Sequence, residues 1–196
     1  MMDPNDLVPK LEEAVPGSVL EIGPFGRGEE ISLWVQVQSI GQVARILSQD
    51  PEIGLDWLED LSVMEMDGAL VMTYFARSSQ SRAQLMIRAS VIPTSPDAEV
   101  QVPSVLDAWP MGRLVEREVA DLFGIRFIDA GTDPAWTEHD GHGNRVAPST
   151  TRRALLPQDW LGYPMRKSYV YPAEYGGILH MRLVGQTAPD EFGVES

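Results

Sequence analysis

Polar and apolar residues alternate through "EISLWVQV" (30–37), which puts Ile31, Leu33, Val35 and Val37 on one side and predicts a strand with one buried face. "SVLEIG" (18–23) reads as a preceding strand, with the turn "GPFGRGEE" between the two. A helical spacing takes over in "SIGQVARILSQDPE" (39–52), where Ile40, Val43, Ile46 and Leu47 share a face. An earlier helix is predicted over 5–14, opened by Asn5 or Asp6 and stopped by Pro16-Gly17. "DWLEDLSVMEM" (56–66) and "ALVMTYFA" (69–76) flank Asp67-Gly68, a hairpin signal because a two-residue turn wants positive φ at both positions. "AQLMIRASVI" (83–92) adds a strand that ends in the Pro93–Pro96 turn. The order is helix–strand–strand–helix–strand–strand–strand–helix. It predicts an α+β fold, a mostly antiparallel sheet packed with helices, since hairpins dominate and repeated βαβ units are missing.

The last helix of that series, "MGRLVEREVADLFGI" (111–125), carries charges inside an amphipathic pattern. At about 100° per residue, Leu114, Val115, Val119, Leu122 and Phe123 fall within an arc of roughly 180°. Arg113, Arg117, Ala120 and Asp121 fall opposite, with Arg117 and Asp121 at the spacing of a surface ion pair. Glu116 lies near the border. Glu118 lands inside the apolar arc, between Leu114 and Met111, so burial with a counter-charge is predicted for it. Arg152, Arg153 and Arg166 are the candidate partners.

After Phe127 the periodicity ends. Residues 128–151 are rich in Gly, Asp, Thr and Pro and read as an inserted loop. "RRALLPQDWLGYPMRKSYVYPAEYGG" (152–177) holds three prolines among Trp160, Tyr163, Tyr169, Tyr171 and Tyr175. Such a stretch is ill-suited to building its own core, and it carries aromatic and arginine side chains of the kind enriched at interfaces. The predicted organisation is an α+β domain over 1–127, the loop 128–151, and an extended C-terminal arm over 152–196 that docks on a partner.

Charge sharpens this division. The formal net charge is −14, which excludes a general nucleic-acid binder. Residues 1–144 hold 9 Lys and Arg against 24 Asp and Glu, whereas residues 145–182 hold 6 against 2. The arm is therefore basic on an acidic domain, suited to folding back or to docking on an acidic partner. No run approaches the ~18 apolar residues of a membrane span, and the acidic N-terminal stretch lacks a signal core, so a cytoplasmic location is expected. The absence of cysteine excludes thiolate catalysis and cysteine-ligated iron–sulfur clusters from this chain.

Catalytic readings find little support. Gly26-Arg27-Gly28 lacks the remainder of a phosphate-binding fingerprint and sits in a hairpin turn. His139, Asp140 and His142 offer a metal cluster without evident further ligands, and a stand-alone metal-dependent hydrolase is the remote alternative they support. Glu116 and Glu118 diverge by about 160° around a helix and cannot serve one substrate.

"VPSVLDAWPMGRLVEREVADLFGIRF" (102–127) resembles the signature helix of the C-type (30 kDa-type) subunit of respiratory complex I, the proton-pumping NADH-quinone oxidoreductase. "RRALLPQDWLGYPMRK" (152–167) is similar to that family's second block, in the same order, and weaker similarity extends upstream to about residue 55. Two features depart from the family's pattern. Residues 129–150 stand where relatives have a short turn with a histidine, and Lys167-Ser168-Tyr169 stands where they favour Lys-Asp before an aromatic.

The resemblance implies a non-catalytic structural subunit of the hydrophilic arm, with FMN and iron–sulfur clusters on partner subunits and no cofactor on this chain. Its implied partners are the D-type subunit and the cluster-bearing subunits nearby, and its membrane association is indirect, on the cytoplasmic side of the bacterial inner membrane. The equivalent subunit of a membrane-bound hydrogenase or ferredoxin-driven complex is the alternative. Glu116, Arg117, Glu118, Asp121, Arg152, Arg153, Trp160, Arg166, Lys167 and Tyr169 are the expected structural and interface residues.

Overall fold

Alternating burial along the strands sets the architecture. The computed structural model describes residues 4–24, 31–81, 83–128 and 153–179, together with the backbone of 138–139 and 145–146. Helix α1 (Pro4–Ala14) leads into β1 (Val19–Pro24) and β2 (Ile31–Val35), which pair antiparallel. A 3-10 turn (Val37–Ser39) opens α2 (Ile40–Gln49). Strands β3 (Trp57–Met66), β4 (Ala69–Arg77) and β5 (Gln84–Val91) then form an antiparallel meander. Asp67 (φ 48°) and Gly68 (φ 79°) are both left-handed between β3 and β4, as the Asp-Gly pair predicts.

The five strands lie in the order β1-β2-β5-β4-β3, so β2 and β5 are neighbours and run parallel. This single parallel pairing makes the sheet mixed. Leu33 and Val35, Leu70, Met72 and Tyr74, and Leu85, Ile87 and Ala89 point to one face, where Leu11 of α1 and Ile40, Val43 and Leu47 of α2 close the core. Trp109 is fully enclosed, and its indole N–H donates to the Leu55 carbonyl at 2.8 Å.

A second layer is formed by β6 (Val100–Pro103) and β7 (Ile125–Ile128), a parallel pair on either side of α3 (Arg113–Phe123). Neither strand has a counterpart in the periodic pattern, because four residues are too few to show alternation. Gly41 lets α2 approach this layer: a Cβ there would lie 2.8 Å from the Ser104 carbonyl oxygen. Within 128–151, β8 (Glu138–His139) pairs with β9 (Arg145–Val146). The described arm, residues 153–179, runs through turns and ends in the short hairpin β10 (Glu174–Tyr175) and β11 (Ile178–Leu179).

Candidate functional site

Helix α3 organises the charged residues, and each of its ends is held differently. It follows a 3-10 turn opened by Pro110, whose ring suits a first helical position. In its first turn Glu116 is turned inward and is 1% exposed. The Ser104 hydroxyl donates to it at 2.8 Å from one carboxylate oxygen and 3.1 Å from the other, and the Val105 amide donates at 2.9 Å. Glu116 thereby fastens α3 to the chain leaving β6. Burial pushes its pKa up to about 7, opposed by the Val105 amide and the Ser104 hydroxyl. Burial also raises the Tyr74 hydroxyl well above its usual value, with the Glu116 charge adding to the effect.

The buried acid facing the domain is thus Glu116, not Glu118. The sequence pattern counts Met111 and Leu114 as core, but they are 38% and 58% exposed, while Gly112, Val119 and Phe123 face inward. The buried arc is rotated away from residue 118. Glu118 is half-buried, and among the described residues it makes no hydrogen bond or ion pair, so the predicted counter-charge is not supplied by Arg153 or Arg166. Arg152 lies outside the described residues. Nor do Arg117 and Asp121 form the expected surface pair.

Asp121 instead faces the arm and is buried by it. Its Oδ1 receives Arg153 Nη1 at 2.9 Å, and its Oδ2 receives the amides of Ala154, Leu155 and Leu156 at 3.1, 2.7 and 2.8 Å. The last four carbonyls of a helix have no partner within it. Here each finds one. Ala120 O accepts from the Gly124 amide at 3.0 Å, and Asp121 O from Arg153 at 3.0 Å. Leu122 O accepts from the Met165 amide at 3.2 Å, and Phe123 O from Arg166 Nε at 2.7 Å. Two guanidinium groups therefore complete the negative end of the helix dipole.

Arg166 is buried and also donates to Pro96 O at 2.7 Å. The Tyr163 ring lies against Gly124, which is left-handed (φ 67°); a Cβ there would come within 2.5 Å of the ring. The Tyr163 hydroxyl donates to Glu99 Oε1 at 2.5 Å, and burial, then that bond, pushes its pKa up to about 12. The Lys167 side chain is exposed, while its backbone amide reaches Glu65 of β3 at 2.8 Å. Trp160 is buried, with Tyr171 and Tyr175 against it at 5.6 and 4.8 Å, and Tyr169 stands edge-on to Tyr171 at 5.5 Å. The arm thus packs a small aromatic cluster of its own, which its prolines and short length argue against.

Ser104, Gly124, Glu99 and Glu65 are not among the residues singled out from sequence, and Tyr163 is named there only as one of the arm's aromatics. Gly124 after a helix is a readable stop signal. The others depend on contacts across 12 to 102 positions. Among the described residues no group of three or more His, Cys, Asp or Glu is placed to hold a metal. Asp140, His142 and Gly26-Arg27-Gly28 lie outside the described residues, as does the side chain of His139. No described helix is long and apolar enough to cross a membrane.

A sheet fastened to a helix whose C-terminal end is closed by an arginine-bearing arm is the arrangement of a small α+β domain with an extension docked on it. Residues 33–175 match the family described as respiratory-chain NADH dehydrogenase, 30 Kd subunit, and the chain belongs to that family. It is 30% identical over 176 residues to the C-type subunit of the NADH-quinone oxidoreductase of Roseiflexus sp. (strain RS-1), covering 88% of this chain and 87% of that one. The corresponding subunit of Geobacter sulfurreducens is 27% identical, covering 86% and 91%. The fold of the present chain is similar to that of a chain of the membrane-bound sulfane sulfur reductase, an archaeal respiratory membrane complex, with TM-score 0.50, 20% identity, and coverage of 70% and 78%.

Proposed function

We propose that this chain is a non-catalytic structural subunit of the hydrophilic arm of a proton-translocating NADH-quinone oxidoreductase. Electrons would pass from NADH through FMN and iron–sulfur clusters on other subunits to quinone, and this chain would brace the path without entering it. Its partners would be the D-type subunit and the cluster-bearing subunits nearby, on the cytoplasmic side of the inner membrane.

One observation carries the reading. The charged side chains of Glu116, Asp121, Arg153 and Arg166 are bound into internal links, and the arm that the last three secure leaves Leu155, Leu161, Met165, Val170 and Ile178 exposed at 54 to 85%. Apolar side chains spaced along a fixed arm suit a docking surface. Charges already satisfied in this way are poorly suited to acid–base chemistry on a substrate.

The test is purification from its native membranes with an affinity tag on this chain. Recovery of the flavin- and cluster-bearing subunits in equal stoichiometry, with NADH-quinone reductase activity, is the expected result. Recovery of the chain alone, or with a nickel-site large subunit and no NADH input, would overturn it.

A further inference from the structure

One face of α3 is left over once the internal links are assigned. Seen down the axis, Glu118 lies about 40° from Leu114 and about 20° from Met111. Both neighbours are exposed, at 58% and 38%, although apolar residues in this helix otherwise turn inward or are half-covered. Glu118 itself is half-buried and, among the described residues, has no hydrogen-bonding or ionic partner. The strip Met111–Leu114–Glu118 is thus apolar with one carboxylate set into it.

From this we infer that the strip is a second docking surface, apart from the outer side of the arm, for an apolar patch of another subunit that presents a lysine or arginine to Glu118. The inference rests on the proposed role within a respiratory complex. Closing apolar surface over this strip removes water from Glu118, and a carboxylate so enclosed needs a cation from the covering side. The two arm cations that the sequence offers as counter-charges and the structure describes are committed elsewhere: Arg153 to Asp121, Trp160 O and Gly162 O, and Arg166 to Phe123 O and Pro96 O. A second copy of this chain is a poor occupant, because pairing two chains of net charge −14 opposes association.

The test uses the assembled complex. A photo-reactive benzoylphenylalanine is placed at Leu114 in one variant and at Met111 in another, and Glu118→Lys is made separately. Cross-links from both positions to one other subunit are expected, in a peptide containing a lysine or arginine. Glu118→Lys is expected to lower the chain retained after a salt wash by about tenfold or more, the range for a mismatched interfacial charge. Reversing the partner's basic residue to Glu restores retention. Three results would overturn the inference: no cross-link from either position in a complex that contains the chain, a cross-link only to a second copy, or restoration by Arg152→Glu within the same chain. If no quinone-reducing complex contains the chain, the functional reading fails first and this inference with it.

Discussion

Asp121 and Arg153 meet 32 residues apart, with the guanidinium on one carboxylate oxygen and three consecutive amides of the arm on the other. The contact couples the end of α3 to the start of the arm, because the same arginine also donates to the Asp121, Trp160 and Gly162 carbonyls. Helix end and arm complete each other's hydrogen bonding, so neither is fully satisfied alone.

Arg153→Ala would leave the Asp121 carboxylate, 1% exposed, without its cation. A loss of about 2–3 kcal/mol is expected, somewhat below the usual cost of breaking a buried pair because three amides remain. Urea unfolding of the purified chain measures the loss. Hydrogen exchange at Ala154, Leu155 and Leu156 locates it, and unchanged protection there would contradict the link.

Gly124→Ala places a side chain at φ 67° and drives its Cβ toward the Tyr163 ring. The left-handed conformation alone costs roughly 1–2 kcal/mol, and the clash adds to it. A double-mutant cycle with Tyr163→Ala separates the two contributions. The combined variant should lose less than the sum of the singles; simple additivity would mean that ring and backbone do not press on each other.

Glu116 gives a dependence on pH. Its folded pKa of about 7 stands above the ordinary 4.5, so the folded chain binds this proton more tightly than the unfolded one. The favourable contribution is full below pH 4.5 and fades as pH rises through 7. Glu116→Gln keeps an oxygen for the Val105 amide and cannot ionise. Its stability relative to the natural chain should therefore rise between about pH 5 and 8, by on the order of 3 kcal/mol at most. A flat difference across that range would show that Glu116 ionises as freely when folded as when unfolded.

Trp109→Phe tests the core beside the site. The Leu55 carbonyl would lose the indole donor at 2.8 Å inside a closed interior. A destabilisation of about 1–3 kcal/mol is expected from the stranded acceptor and the lost volume. Thermal unfolding reads it, and an unchanged midpoint would mean that the bond contributes nothing net.

Local chemistry is legible in the sequence where it alone decides the conformation. Asp67-Gly68 sets the β3–β4 hairpin, and the helical spacing of Ile40, Val43 and Leu47 sets α2. Long-range choices are not legible. Nothing within β2 or β5 reveals that they pair parallel, since the pairing depends on where α2 carries the chain. The inward face of α3 differs from its apolar pattern because Met111 and Leu114 count as apolar wherever they point. Asp121 reads as a surface acid until the arm returns to cover it. Tyr163 and Ser104 likewise acquire their roles only through tertiary contact.

Arg153→Ala in the native organism separates a bracing role for this chain from a part in the redox chemistry of the assembly. The measurement is the amount of assembled complex together with quinone reductase activity per assembled complex. Assembly is expected to fall while activity per assembled complex stays at the natural level. Full assembly with turnover abolished would contradict it.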